Sequence, residues 1–247
     1  MRKAVGNILW FSRRNFPECL SGVTILSSYM EKPSRFIIKA TKRMLRYIHG
    51  RHDAVLTIRK DPDFDATEIQ LVLFTDADWA AVRVKRRSMS GYQVYLNGNF
   101  LTAACKYHPT QCLSTMEAEY MGEVFAIKEA AFTQTLISEL SPHFSVCTPI
   151  PIFGDNNAAL KFAEEAAVNS RTKHIDLRHH FITDYVEGGE ISMNYVCTSE
   201  NVADILTKHL SIPVFRKFRD LMYGQNREIS KLIAKLTFLN RGRHKEL

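Results

Sequence analysis

The 247-residue sequence lacks several features that define common structural classes. No apolar run approaches the roughly 20 residues that a membrane-spanning helix needs. The five cysteines are odd in number and scattered, without a Cys-x-x-Cys pair, which argues against a zinc ribbon and against a disulfide framework. The sequence also contains no internal repeat and no low-complexity tract. These absences predict an intracellular globular protein with reduced thiols that works away from the membrane.

Neither end of the sequence has a convincing targeting signal. The basic start, Met1-Arg2-Lys3, precedes an apolar stretch that Gly6-Asn7 breaks and Arg13-Arg14 stops, which makes a poor secretory signal. The last four residues, His244-Lys245-Glu246-Leu247, look like an endoplasmic-reticulum retention signal, but such a signal acts only after entry into the secretory route. We therefore expect that the protein is not secreted.

The net charge of +7 is unevenly distributed. Residues 1–60 carry 13 Lys/Arg against 3 Asp/Glu, a net +10, and residues 227–247 carry 6 against 2, a net +4. The middle, 61–226, carries 14 against 21, a net −7. Basic ends around an acidic centre suit a protein that binds a polyanion and keeps carboxylates for metal. Two solvated basic arms without a ligand are the alternative.

Residues 2–49 have helical periodicity, interrupted at Pro17. Pro33-Ser34 opens a second run that Gly50 ends. Its apolar residues recur at helical spacing and predict a packed face. Its other side is basic, and is either a solvated face or a grip on a nucleic-acid backbone; it includes Lys39, Lys42, Arg43 and Arg46.

From residue 71 the sequence predicts alternating strands and helices. Strands are expected at 71–76, 92–96, 100–105, 149–153 and 191–196, and a further short one at 54–58. The Asn97-Gly98 dipeptide is typical of a tight hairpin. Helices are expected at 115–140, 156–167, 175–186, 200–210 and 213–222. Ser114 or Thr115 followed by Glu117 indicates a capping box at the first of these helices.

Four carboxylates occupy special places in this pattern. Asp76 and Asp155 end strands, Glu119 lies in the first turns of a long helix, and Asp204 lies in a late helix. Functional groups gather at the carboxyl ends of strands, so Asp76 and Asp155 can converge. Clustered carboxylates need a counter-ion, and a hard divalent cation such as Mg²⁺ or Mn²⁺ prefers oxygen ligands. Solvated turns are the alternative for each residue taken alone.

Six motifs follow one another across 71–210: Thr75-Asp76-Ala77-Asp78-Trp79-Ala80, Arg87-Ser88-Met89-Ser90-Gly91-Tyr92, Ser114-Thr115-Met116-Glu117-Ala118-Glu119-Tyr120, Asp155-Asn156-Asn157-Ala158-Ala159, Ser170-Arg171-Thr172-Lys173-His174-Ile175-Asp176 and Ala203-Asp204-Ile205-Leu206-Thr207-Lys208. In this order and spacing they resemble the ribonuclease H region of copia-type retrotransposon polyproteins. The resemblance implies an α/β fold, with a ribonuclease H-like five-stranded mixed sheet flanked by helices. It also implies three regions: a helical basic extension at 1–60 resembling the polymerase-to-nuclease connection, the ribonuclease H-like domain at 71–210, and a helical basic tail at 211–247.

By resemblance, the catalytic metal ligands are Asp76, Glu119, Asp155 and Asp204. Glu119 is favoured over Glu117 because Ala118-Glu119-Tyr120 matches the family pattern, and Glu117 keeps a role at the helix start. Asp76 is favoured over Asp78 for the same kind of reason. The implied cofactor is a pair of Mg²⁺ ions, for which Mn²⁺ can substitute; two cations about 4 Å apart can activate a water and stabilise the leaving oxygen.

The implied function is hydrolysis of the RNA strand of RNA–DNA hybrids, as part of a reverse transcriptase. Selectivity for RNA would come from contacts to 2′-hydroxyls. A polymerase part is the expected partner, since no Tyr-x-Asp-Asp motif occurs in this chain. The family's location would be a cytoplasmic particle or the nucleus. Besides the basic stripe at 39–46, the candidates for backbone binding are Arg86, Arg87, Lys106, Arg171 and Lys173.

Other interpretations stay open. The family usually has Gly-Asp where Ala81-Val82 stand, and Pro where His209 stands, so a non-catalytic nucleic-acid-binding remnant is the alternative function. An integrase would place its third acid after Asp155, whereas Glu119 comes before it. A separate transition-metal site is the rival interpretation of a short polar cluster formed by His174, Asp176, His179 and His180. No pattern in the sequence completes a set of four ligands for such a site.

Overall fold

The computed structural model describes residues 1–60, 67–82, 87–156, 176–224 and 228–243, with only the backbone described for 80–82, 176–179 and 241–243. The helices in these ranges are α1 (Arg2–Arg14), α2 (Leu20–Ser27), α3 (Arg35–His49), α4 (Thr115–Leu140), α5 (Asp176–Glu187), α6 (Ile212–Met222) and α7 (Glu228–Arg243). The strands are β1 (Glu68–Ile69), β2 (Leu71–Val82), β3 (Arg87–Leu96), β4 (Asn99–Tyr107), β5 (Ser145–Val146), β6 (Ile150–Gly154) and β7 (Ile191–Tyr195). Two 3₁₀ helices cover Pro17–Cys19 and Val202–Leu206.

A five-stranded mixed sheet, in the order β4-β3-β2-β6-β7, forms the centre of the fold. β2, β3 and β4 pair antiparallel, and β2, β6 and β7 pair parallel. The predicted fold class is confirmed. The Asn97-Gly98 turn between β3 and β4 has positive φ at both residues, 48° and 70°, as a hairpin of this kind requires. β1 and β5 form a separate parallel pair.

The central strand β2 is covered on both faces, because successive side chains of a strand point to opposite sides. Leu71 and Leu73 belong to a core with α4 and with the inner residues of β6 and β7. Val72 and Phe74 belong to a second core on the other face, where the 3₁₀ helix at 202–206, α6 and α7 pack. This double burial explains why β2 begins with a continuous apolar run.

The second core also joins the two ends of the described chain. It contains Leu20 of α2 together with residues of α6 and α7. Tyr223 belongs to this core as well, and its hydroxyl, which has one proton to donate, lies within hydrogen-bond distance of Asn15 O (2.7 Å) and of the buried Glu18 Oε2 (3.0 Å). Arg51 forms an ion pair with Glu18 at 2.9 Å. The division into 1–60, 71–210 and 211–247 stays a prediction.

Helix α4 begins as the sequence predicts. Ser114 is the N-cap, and its hydroxyl accepts a hydrogen bond from Glu117 N (3.1 Å). The Glu117 carboxylate accepts one from Leu113 N (2.6 Å). The Ser114 hydroxyl thus satisfies a backbone donor of the first helical turn, as predicted, and the Glu117 carboxylate satisfies the N–H of the residue just before the N-cap.

Two predicted elements are wrong. No strand forms at 54–58: Ala54 and Leu56 pack against the second core, and Thr57 N donates to Tyr223 O instead of to a strand partner. The helix predicted at 200–210 is a five-residue 3₁₀ helix, Val202–Leu206, whose start is capped by the Asn201 side chain. The helix predicted at 156–167 lies outside the described residues.

Candidate active site

The site forms where the neighbouring parallel strands β2 and β6 place two aspartates side by side. Phe74 of β2 pairs with Phe153 of β6, so Asp76 and Asp155, each two residues further on, lie side by side at the end of that pairing. Asp76 is fully buried, while Asp155 lies just beyond the end of β6. The sequence thus places two carboxylates at neighbouring strands, and the spacing between such strands is roughly 4.8 Å.

The third aspartate, Asp204, lies on the 3₁₀ helix Val202–Leu206, which packs against the sheet. Asn201 Nδ2 donates to Thr75 O (3.0 Å) and Gln93 Nε2 donates to Val202 O (2.6 Å), which fixes this helix against β2 and β3. Gly91 of β3 permits the approach, because a Cβ at this position would lie 2.5 Å from Leu206 Cβ. The motif glycine therefore serves close packing beside the site.

These three aspartates form one cluster. One carboxylate oxygen from each of Asp76, Asp155 and Asp204 lies within 4.8 Å of the others. The Thr207 hydroxyl donates to Asp76 Oδ2, and the Thr198 hydroxyl donates to Asp155 Oδ2 (2.9 Å). Asp76 Oδ1 is buried and, within the described structure, is satisfied by an ion pair alone. Hard oxygen ligands that converge around a buried carboxylate oxygen fit a Mg²⁺ or Mn²⁺ ion.

A lysine whose role the sequence did not predict, Lys208, lies among the aspartates and forms the ion pair with Asp76. Lys208 Nζ is 2.8 Å from Asp76 Oδ1, 2.8 Å from Asp204 Oδ1 and 3.3 Å from Asp155 Oδ2. Its four-residue separation from Asp204, on the helix predicted at 200–210, is a signal in the sequence that could have indicated this contact. The contacts with Asp76 and Asp155 depend on the tertiary fold.

Glu119 is buried at the start of α4, outside the 4.8 Å cluster but within its electrostatic influence. Burial is the largest cause that raises the pKa of its carboxyl to about 10, and the charges of Asp76, Asp155 and Glu123 add to it. Its assignment as a ligand stays a prediction. Asp78, two residues after Asp76 on β2, is also outside the cluster; burial and the charge of Asp76 raise its pKa.

The pKa values of the cluster reflect crowded negative charge. Burial raises the pKa of Asp204 to about 7, and the charge of Asp76 adds to this. Burial also raises the pKa of Asp76, against the lowering effect of Lys208 and Thr207. For Lys208, burial disfavours the ammonium, but the contacts with Asp76 and Asp204 outweigh it and raise the pKa. The site therefore favours positive charge at its centre.

The residues predicted to bind nucleic acid are only partly described. Arg87 and Lys106 are exposed at one end of β3 and β4, and Lys106 Nζ lies 5.9 Å from the centre of the Phe125 ring. The basic stripe on α3 is exposed along its length, at Lys39, Lys42, Arg43 and Arg46. Three of the candidates lie outside the described residues: Arg86, Arg171 and Lys173.

The rival metal site is also beyond what the structure describes. His174 is outside the described residues, and the side chains of Asp176 and His179 are not described. His180 is exposed on α5. The transition-metal interpretation of this cluster therefore stays untested.

The strand order and the aspartate cluster define a ribonuclease H-like α/β domain. No protein-family model matches the chain. It is 33% identical over 219 residues to the retrovirus-related Pol polyprotein from transposon RE2 of Arabidopsis thaliana, a match that covers 88% of this chain and 14% of the polyprotein. It is 34% identical over 129 residues to the secreted RxLR effector protein 161 of Plasmopara viticola, covering 52% of this chain and 87% of that protein.

Among solved structures, ribonuclease H1 from Halobacterium salinarum matches with 15% identity and a TM-score of 0.42, over 56% of this chain and 94% of that one. Its homologues are copia-type, retrovirus-related Pol polyproteins of plant transposons, which match it over about 88% of its length, as its motifs predicted. It spans about one seventh of the length of the RE2 polyprotein. None of the helices given above combines the length and the apolar character that crossing a membrane demands.

Proposed function

We propose that this chain is a metal-dependent endonuclease that hydrolyses the RNA strand of RNA–DNA hybrids within a transposon reverse transcriptase. The observation that carries the proposal is the convergence of Asp76, Asp155 and Asp204 around a buried carboxylate oxygen. Three separate elements supply these side chains, and buried polar groups of the fold hold them in place. A surface turn would need no such support.

The residues of the chain position the acids. The Thr207 and Thr198 hydroxyls each hold an oxygen of a carboxylate, Asp76 and Asp155 respectively. Asp204 is carried by a 3₁₀ helix whose position Asn201 and Gln93 fix. Asp76, Asp155 and Asp204, with Glu119 beside them, would hold Mg²⁺ ions. When bound, such ions lower the pKa of a water and stabilise the charge on a leaving 3′-oxygen.

The substrate proposal rests on charge. A hybrid is a polyanion, and its nearest electrostatic match on the described surface is the exposed basic stripe of α3, together with Arg87 and Lys106 near β3 and β4. Nothing in the proposed chemistry needs a particular base, so binding would go mainly to phosphates and 2′-hydroxyls. We further propose an intracellular location, which the five scattered cysteines, odd in number, support.

The deciding experiment is cleavage of an end-labelled RNA–DNA hybrid by the purified chain, with Mg²⁺, with Mn²⁺ and with EDTA. We expect cutting of the RNA strand that stops in EDTA, and duplex DNA left intact. Asp76→Asn and Asp155→Asn should lower the rate by at least about a hundredfold, because each removes a charge on which the bound cations depend.

Asp184→Asn, at an exposed position of α5, is the matched control and should keep full activity. Cleavage that persists in EDTA, or at the wild-type rate in either site variant, would contradict the metal-dependent mechanism. A folded wild-type chain that binds the hybrid without cutting it would establish the alternative, a nucleic-acid-binding remnant.

A further inference from the structure

Lys208 is the one positive group in direct contact with all three clustered aspartates among the described residues. It follows the 3₁₀ helix, and its backbone N–H donates to Asp204 O (2.9 Å). The side chain is 31% exposed, so the ammonium reaches the cluster from the solvent side. Its partners on Asp76 and Asp204 are almost fully buried.

Buried acids at this distance repel one another strongly. Without a positive charge among them they would either take up protons or separate, because low-dielectric surroundings strengthen the repulsion. Lys208 supplies that charge from within the chain. Its contacts of 2.8 Å with Asp76 and Asp204 have the length of charge-assisted pairs, and Asp155 Oδ2 lies somewhat further away, at 3.3 Å.

The position of the ammonium also conflicts with that of a divalent cation. A Mg²⁺ ion needs carboxylate oxygens at about 2.1 Å, and here Asp76 Oδ1 and Asp204 Oδ1 face the lysine nitrogen instead. An ammonium and a divalent cation on the same oxygens would repel each other. They are therefore alternatives at this centre.

We propose that Lys208 is an internal counter-ion, which holds the three aspartates together before a divalent cation binds and leaves them when one does. The inference rests on the proposed metal-dependent function and assigns a positioning role to a residue of that site. Two consequences follow: Lys208 stabilises the metal-free protein, and it weakens the affinity for the metal. The partly exposed side chain can move into solvent when displaced.

The test compares Lys208→Met, which keeps most of the unbranched side chain without its charge, with Lys231→Met, which removes an exposed lysine of α7. Mn²⁺ binding is measured by calorimetry, and thermal unfolding is measured in EDTA and in Mn²⁺. Lys208→Met should bind Mn²⁺ about tenfold more tightly or better, because a competing charge is gone. It should also unfold at a lower temperature in EDTA, and Mn²⁺ should stabilise it more than it stabilises the wild type. Lys231→Met should match the wild type in both measurements.

Equal or weaker Mn²⁺ affinity in Lys208→Met than in the wild type would overturn the inference while leaving the proposed function intact. Binding of Mn²⁺ by neither protein would remove the metal-dependent function and the inference with it. Should Lys208→Met fail to fold, the wild type decides. With ¹⁵N-labelled lysine, the ammonium signal of Lys208 should change during a Mg²⁺ titration, and an unchanged signal at saturating Mg²⁺ would overturn the inference.

Discussion

Glu123 gives a sharp test of the electrostatics around the site. It lies one turn after Glu119 on α4, is fully buried, and its Oε2 accepts no hydrogen bond within the described structure. Burial raises the pKa of its carboxyl from 4.5 to about 8. Between these two values the folded protein keeps a proton that the unfolded chain has released, so the unfolded chain binds fewer protons. The free energy of unfolding must therefore fall as pH rises through this window.

Glu123→Gln removes this dependence, because the amide does not ionise. Relative to the wild type, the variant should gain about 2 to 3 kcal/mol of unfolding free energy between about pH 5.5 and about pH 8, as integration over the raised pKa gives. The measurement is urea unfolding of both proteins at the two pH values. Any packing difference between Glu and Gln cancels when the two pH values are compared.

Glu139→Gln, at an exposed position near the end of the same helix, is the control and should show no such gain. A stability difference between Glu123→Gln and the wild type that is the same at both pH values would refute the reasoning, since the carboxyl would then not change its protonation across the window. In that case Glu123 would not hold a proton at neutral pH.

Two further predictions concern activity and binding. Glu119→Gln should be nearly inactive, whereas Glu117→Gln should lose only stability, on the order of 1 kcal/mol or less, because Glu117 stabilises the helix start. Hybrid cleavage and thermal unfolding of both variants measure this, and the reverse ranking would show that the ligand was misassigned. The quadruple alanine variant of the α3 stripe should bind a hybrid more weakly, with little change in the maximal cleavage rate. The slope of log affinity against log salt should become less steep by about 0.9 for each phosphate that the variant no longer neutralises. Equal slopes for the variant and the wild type would mean that the stripe is only a solvated face. The residues replaced are Lys39, Lys42, Arg43 and Arg46.

Local chemistry made much of this fold predictable. The Asn97-Gly98 turn and the Ser114 N-cap depend on neighbours in the sequence, and both formed as predicted. Asp76 and Asp155 could be placed together because both follow the last paired residues of two parallel neighbours, although β2 itself continues to Val82, so Asp76 does not end that strand as predicted. These features need no knowledge of which distant segments pack together.

Features that depend on distant packing could not be predicted. The apolar residues at 54–58 are partly packed, since Ala54 and Leu56 contact the second core, but no neighbouring strand pairs with this segment among the described residues. Lys208 was visible in a motif, yet its contacts with Asp76 and Asp155 arise from residues 132 and 53 positions away. Charge alone could not indicate which of 33 lysines and arginines would enter the acidic cluster.

The shared core of the two chain ends has a consequence for the order in which the molecule folds. The hydrogen bond from Tyr223 to Asn15 joins residues 208 positions apart. The core that contains Leu20 is complete only when α6 and α7 have packed against it. Contacts this distant in sequence are costly in chain entropy and form late. During synthesis, α1 and α2 therefore leave the ribosome long before their partners do. We expect the nascent chain to stay incompletely folded, with apolar surface open to chaperones, until α7 has been made.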